Sequence, residues 1–307
     1  MKQHTLKRSY SFEGKGLHSG LFSRMTLHPA DEGEGIVFVR TDLPGLPEIP
    51  ALAQYVSSTE RSTAISRGEA TAMTVEHILS ALTGLGVDNA RVELSGPEVP
   101  ILDGSAKPYI DAIVPDGTAE QNAERKYIEI EKDIEIRDEK SGSFIRISPA
   151  PSPGYTLTAD FNSKVLGVQT VNWDETVDYK SEIGICRTFV FFHEIEFLFK
   201  NNLIKGGDVD NAIVIAEHPV SEEQVQSLAS LLGKEKLSVT ESGYLDNLEL
   251  RFSDECGRHK LLDLIGDLRL AGGFLKARVE AYKPGHTINT TAAKAILDER
   301  GNKSAQI

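Results

Sequence analysis

Apolar and polar positions alternate with a period of two in six stretches, 36–40, 90–95, 127–136, 144–148, 155–161 and 274–282, and these read as strands. A helical period replaces it elsewhere. In 74–85, Val75, Ile78, Leu79 and Leu82 fall on one face, and in 259–270 so do Leu261, Leu262, Ile265 and Leu268. Further helices are expected at 108–114, 192–201, 222–232 and 290–300. Strands and helices without regular βαβ alternation predict an α+β fold built of layers. The tetrad Ala90-Arg91-Val92-Glu93 returns as Ala277-Arg278-Val279-Glu280, each time just after a helix that carries a histidine, His77 or His259. That echo suggests a duplicated domain with a site between the halves. The polar stretch 115–124, with its Pro and Gly, is the expected boundary: a first domain over 1–117, a linker over 118–124 and a second domain over 125–307.

Composition narrows the partners. With 307 residues, 40% of them hydrophobic, the chain is long enough to bury a substantial core. Its net charge of −13 disfavours nucleic acid as a partner and restricts any phosphorylated ligand to a local cluster of Lys or Arg. Two cysteines in a chain of this size suit a reducing cytoplasm rather than a disulfide framework. No apolar run is long enough for a transmembrane helix, and the basic N-terminus lacks the apolar stretch of a signal peptide. Nothing fixes the oligomeric state, and a monomer is expected.

Three short motifs carry candidate chemistry. His259 and Asp263 lie four apart on a helix, so both side chains can reach one point, and imidazole and carboxylate are both good zinc ligands. A surface pair supporting the helix would look the same. Thr74 is the expected N-cap of the first histidine helix, which would put Glu76 in the first turn beside His77, either as a dipole-stabilised acid or as a base next to a ligand. Pro284-Gly285 makes a turn that presents His286 after a strand. His193-Glu194 begins like a zinc-protease motif, but Phe197 stands where its second histidine should be. The glycines around Lys15 and Lys205 do not form a phosphate loop of the GxxxxGK[ST] type.

Taken in order, Glu76-His77, His259-Lys260-Leu261-Leu262-Asp263 with Asp267, and Gly285-His286-Thr287-Ile288-Asn289 resemble the bacterial UDP-3-O-acyl-N-acetylglucosamine deacetylases of lipid A synthesis. Gly16-Leu17-His18-Ser19-Gly20, Arg40-Thr41-Asp42, Gly86-Val87-Asp88-Asn89, the stretch from Pro97 to Ala106, Arg187-Thr188-Phe189 and the stretch from Lys205 to Ala212 extend the resemblance from about residue 3 to about residue 300. The resemblance implies His77, His259 and Asp263 as zinc ligands, with Fe(II) an alternative metal. It also implies Glu76 as general base, His286 as a protonated acid oriented by Asp267, and Thr188 beside the developing oxyanion. Lys260 would contact substrate phosphate, Phe189 the substrate, and Phe161 and Lys283 the nucleotide end. The fold it implies has two similar sheet-plus-two-helix halves around the zinc, with an inserted hydrophobic passage near 189–217 for the 3-O-acyl chain of a nucleotide-sugar substrate. The run Thr59-Glu60-Arg61-Ser62-Thr63 is more polar than the resemblance leads one to expect beside an acyl chain. Some members of that family continue into a hydroxyacyl dehydratase domain.

Two other readings stay open at the level of sequence. A zinc amidase could act on another N-acetylated sugar, or the metal could stabilise a binding module without catalysis.

Overall fold

The computed structural model describes residues 1–195, 211–231, 234 and 236–304. The first part of the chain supplies β1 (Lys2–Leu6), β2 (Tyr10–Lys15), β3 (Phe22–Pro29), β4 (Ile36–Arg40) and β5 (Glu48–Pro50). A small sheet of β6 (Val56–Ser58), β7 (Ala64–Arg67) and β8 (Ala70–Ala72) follows, then α1 (Glu76–Gly84), β9 (Ala90–Leu94) and α2 (Lys107–Ile113). After β10 (Thr118–Glu124) and β11 (Ile128–Glu129) come β12 (Ile134–Asp138), β13 (Ser143–Pro149), β14 (Gly154–Asp160), β15 (Val168–Asp174) and α3 (Tyr179–Glu182). The remainder is β16 (Phe189–Phe191), β17 (Ile213–Ile215), α4 (Glu222–Leu231), α5 (Glu255–Leu268), β18 (Leu275–Tyr282) and α6 (His286–Ser304).

The two main sheets share one strand order. The first runs β2-β3-β9-β4-β5 and the second β12-β13-β18-β14-β15, so in each the fifth strand in sequence enters between the second and third. In each it pairs antiparallel on one side and parallel on the other. Even the register agrees at one point, since Ala90 faces Pro29 and Ala277 faces Pro149. The repeated tetrads are therefore the cores of the two central strands. In both, Ala and Val turn inward and Arg and Glu point away, as a half-buried strand requires. The alternation expected over 36–40 is absent: β4 forms there, but it is buried along its whole length, which explains its unbroken Ile-Val-Phe-Val run.

Several expectations shift. The stretch 118–124 is not an irregular connector: it is β10, paired antiparallel with β1. The strand expected over 127–136 is broken into β11 and β12. Of the helix expected over 192–201, residues 192–195 are helical and the rest lies outside the described residues, as does 196–210 of the expected insert. Thr74 does not cap α1. Val75 holds the cap position without a side-chain bond, while Thr74 takes a left-handed φ of 57° and gives its hydroxyl to Glu98 (2.8 Å). Among the described residues no helix is long and apolar enough to cross a membrane.

The two sheets meet through their helices. α5 packs on β14, β15, α1 and α6, and all its residues except Arg258 and Lys260 are buried. Ile78, Leu79 and Leu82 of α1 join Leu261, Leu262 and Ile265 of α5 in one core. At the crossing the backbones nearly touch: a Cβ on Gly266 would stand 2.0 Å from the carbonyl oxygen of Glu76. Arg269, fully buried, adds a cross-tie by donating to the carbonyls of Val87 (3.0 Å) and Asp88 (3.1 Å).

Gly266→Ala tests the crossing. Alanine would gain about 1 kcal/mol of helix propensity, but a methyl pressed against backbone costs about 1–3 kcal/mol or more, because backbone cannot swing aside. The variant should unfold at lower urea than the parent; equal or greater stability would show that the helices tolerate separation.

Candidate metal centre and reaction pocket

α1 and α5 bring their histidines together at this crossing. The rings of His77 and His259 stand edge to face with centroids 4.9 Å apart. Asp263, one turn beyond His259, places Oδ1 3.3 Å from His259 Nε2 and 3.6 Å from His77 Nε2. Suitable ligand atoms of the three residues all lie within 4.8 Å of one another, and all three residues are buried.

The polarity of this cluster favours a cation. His259 Nδ1 lies 3.0 Å from the carbonyl oxygen of Cys186, an acceptor, so the ring proton belongs on Nδ1 and Nε2 carries a lone pair. That lone pair faces Asp263 Oδ1, a buried oxygen without a hydrogen-bond partner among the described residues. Two acceptors facing each other at 3.3 Å in a buried site repel unless a positive charge joins them. Burial pushes the His259 pKa down to about 4, so the ring is neutral and suited to coordination. At Asp263 burial is outweighed by the neighbouring His259 and His77, and its carboxyl is held well below the usual carboxylate range. Two imidazole nitrogens and one carboxylate oxygen form a donor set that fits zinc.

A cavity of about 200 Å³ opens on this cluster, lined by Leu17, His18, Arg61, Thr74, Glu76, His77, Thr188, Phe189, His259, Lys260, Asp263 and His286. Burial pushes the Glu76 carboxyl up to about 7, although His286 and His77 oppose the shift. His286 Nε2 stands 3.9 Å from Glu76 Oε1, and its Nδ1 lies 3.0 Å from Asp267 Oδ2. Burial disfavours the imidazolium, but Asp267, Glu76 and Asp263 outweigh it and raise His286 to about 9. At neutral pH the cavity therefore holds a cationic imidazole beside a carboxyl poised to take a proton.

Each wall has a structural cause. Arg187 forms a buried ion pair with Glu255 at the start of α5 (2.9 Å), which carries the adjoining Thr188 and Phe189 to the cavity. Phe189 also packs near His259 (6.3 Å between centroids). On the opposite side, fully buried Glu98 accepts from the backbone N–H of His18 (2.9 Å) and Ser19 (2.7 Å) and from the Thr74 hydroxyl, pinning the Gly16–Gly20 turn. Gly16 is required there, since a Cβ would come within 2.3 Å of Glu98 Oε2.

Of the residues singled out in the sequence, Glu76, His77, Thr188, Phe189, His259, Lys260, Asp263 and His286 all line the cavity, and Asp267 stands directly behind His286. Lys260 places Nζ 4.0 Å from Asp263 Oδ2. Phe161 and Lys283 do not line the cavity. Phe161 meets the outer side of Phe189 (5.4 Å), and Lys283 pairs with Asp160 (3.0 Å). Thr63, Glu98 and Glu255 had no assigned role, and each acts through partners distant in sequence. Asn289, which closes the Gly285–Asn289 motif, donates to Asp267 Oδ2 at 2.9 Å.

Two mixed sheets meeting at a possible metal-binding triad, with Glu76 and His286 in the adjoining cavity, fit the class of metal-dependent hydrolases. Comparison with known proteins narrows this. The family model for LpxC, UDP-3-O-acyl N-acetylglycosamine deacetylase, matches residues 3–230 and 229–298, and the chain belongs to this family. It is 42% identical over 305 residues to the bifunctional enzyme LpxC/FabZ of Porphyromonas gingivalis, covering 99% of the chain and 66% of that protein. It is 38% identical over 301 residues to a UDP-3-O-acyl-N-acetylglucosamine deacetylase of Nostoc sp., covering 97% and 99%. A similarly named deacetylase of Saccharophagus degradans is 40% identical over 307 residues, with 97% of this chain and 91% of that protein covered. The chain thus spans about two thirds of the bifunctional relatives it matches and nearly the whole of the others.

Chelator-treated protein should take up one zinc ion per chain in a calorimetric titration. His259→Ala should weaken that uptake beyond the roughly 10–100-fold typical of losing an outer partner. Unchanged affinity would remove His259 from the ligand set.

Proposed function

We infer that the chain hydrolyses the N-acetyl group of a UDP-3-O-acyl-N-acetylglucosamine, releasing acetate and the free amine. The observation that carries this reading is the buried pair of facing lone pairs on His259 and Asp263, beside a base and a cationic acid, in a member of this family. His77, His259 and Asp263 would hold the ion, with zinc the first choice and Fe(II) compatible with the same donors. Three protein ligands leave room for substrate, as catalytic rather than structural sites do. When bound, the ion supplies Lewis acidity, acidifying water and polarising a carbonyl.

The chain's own residues supply the rest. Glu76, at the cavity wall, takes the proton of the attacking water. Thr188 offers a hydroxyl toward the developing oxyanion, where one donor is typically worth about 3–4 kcal/mol. His286, charged and held by Asp267, stabilises negative charge and then protonates the leaving amine. Lys260 adds a cation for a substrate phosphate in a chain that is otherwise strongly acidic. Phe161 and Lys283, outside the cavity, fit a more distant role toward the nucleotide.

The acyl chain needs an apolar path. Phe189, Val190 and Phe191 of β16 pair in parallel with Ile213, Val214 and Ile215 of β17, next to a small core that includes Phe192, Ile195 and Val225. This unit leads away from Phe189 and is the proposed passage. The matching strand orders likewise support two similar halves with the reaction centre between them.

Acetate release from the acylated UDP-sugar, with and without chelator, tests the assignment. Equal release from the unacylated sugar would redirect it to another N-acetylated substrate. Glu76→Ala should keep its zinc while losing about 10²–10⁴-fold in turnover, and full activity would remove Glu76 as base. The pH dependence of kcat/KM should be bell-shaped. Its lower limb follows deprotonation of Glu76, at or below about 7, because a bound dication favours the carboxylate. Its upper limb follows loss of the His286 proton near 9. A profile still rising above pH 9.5 would exclude His286 as the acid.

A further inference from the structure

Thr63 lies on the short loop between β6 and β7, fully buried, and it uses every polar group it has. Its N–H donates to Glu76 Oε2 (3.1 Å), its hydroxyl donates to Asp267 Oδ1 (2.6 Å), and its carbonyl accepts from the N–H of Val75, the residue that opens α1 (3.2 Å). Glu76 belongs to one main helix, and Asp267 to the other. One residue outside both helices therefore bonds the carboxylate of the base and the carboxylate that orients the acid.

The rest of the loop is tied down on both sides of the cavity. Thr59 bonds Thr287, next to His286, at 2.8 Å, and Arg61 pairs with Glu194 in the segment after β16 at 3.1 Å. Arg61 holds a left-handed φ of 62°, a conformation L-residues rarely adopt, which turns the chain so that Thr63 points inward. The polar side chains of Thr59, Arg61 and Thr63 thereby acquire a cause, since each ties the loop to a neighbouring element.

We propose that Thr63 is a positioning residue of the hydrolytic reaction, its hydroxyl bond to Asp267 holding its own N–H on Glu76 so that base and acid keep one fixed separation. The proposal rests on the deacetylase reading. Thr63 does not line the cavity and does not belong to the His77–His259–Asp263 cluster. Asp267 has a second donor in Asn289, but that bond is to Oδ2, the oxygen that also faces His286. Among the described residues the Thr63 hydroxyl is the donor to Oδ1, so it sets the rotation of the carboxylate that aims His286.

Thr63→Val keeps the shape and the backbone N–H and removes only the hydroxyl; Thr63→Ser keeps the hydroxyl. Both are compared with the parent, zinc-loaded, for acetate release from UDP-3-O-acyl-N-acetylglucosamine, zinc content and melting temperature. The His286 Nδ1 proton resonance is followed as well. Thr63→Val should lose on the order of 10²-fold in kcat with KM, zinc content and melting little changed, because a positioning defect enters the transition state rather than substrate binding. Its His286 resonance should shift, and Thr63→Ser should restore both rate and resonance. A folded Thr63→Val at parental kcat, or one altered only in KM, overturns the proposal. If Thr63→Val and Thr63→Ala both fail to fold while Thr63→Ser folds, the hydroxyl serves stability and the proposal is likewise overturned. A parent that releases no acetate defeats the deacetylase reading instead, independently of the Thr63 comparison.

Discussion

The close passage of α5 across the backbone of α1 at Gly266 is the contact on which the site depends. Glu76 and His77 leave one helix at this crossing, and His259, Asp263 and Asp267 leave the other. A wider spacing would carry His77 away from Asp263 and Glu76 away from His286 at once. The geometry is held by an incompressible core, in which Leu79, Leu82, Leu261 and Leu262 have no exposed surface.

Such a crossing concentrates polar groups where water is scarce. Glu76, His77, His259, Asp263 and Asp267 are all buried, and an isolated buried charge costs far more than a folded chain can spare. Compensation comes in two forms. On the acid–base side, Thr63, Asn289 and His286 satisfy Asp267, so the carboxylate is fully engaged. On the other side, the Cys186 carbonyl orients His259, but among the described residues Asp263 Oδ1 accepts no hydrogen bond. The Asp267 carboxylate is thus satisfied by protein donors on both oxygens, whereas the His259–Asp263 pair favours a cation. That asymmetry matches the proposed division between residues that move protons and residues that would hold an ion.

The surrounding structure orders this centre from outside. Glu98 fixes the Gly16–Gly20 turn, Glu255 fixes Arg187 and thus Thr188 and Phe189, and Arg269 ties α5 to the backbone before β9. Each of these is a buried charged side chain bonded mainly to backbone or to one opposite charge. Removing a single partner would strand the other in the interior, a penalty of about 3–5 kcal/mol for a buried ion pair. Parts of the chain remote in sequence are thereby held to the same few ångströms.

Much of this was legible in the residues themselves. Period-two and 3.6-residue patterns located the central strands and both main helices, because one-sided burial writes its own period into the chain. The tetrad echo marked the central strands, and the i, i+4 spacing of His259 and Asp263 carried their convergence, since helix geometry alone sets it. Other features were not. Thr74 reads as a cap by local rules, yet its hydroxyl is taken by Glu98, a long-range partner that overrides local preference. The segment 118–124 reads as a connector, yet it finds an edge strand near the N-terminus. Thr63 carries no signal, since its role lies wholly in bonds to residues 13 and 204 positions away. Sequence thus determined the elements and the local pairs, which depend on periodicity. Tertiary structure alone decided which helices cross, which buried oxygen lacks a donor and which threonine joins two carboxylates, because these depend on distances that no spacing along the chain encodes.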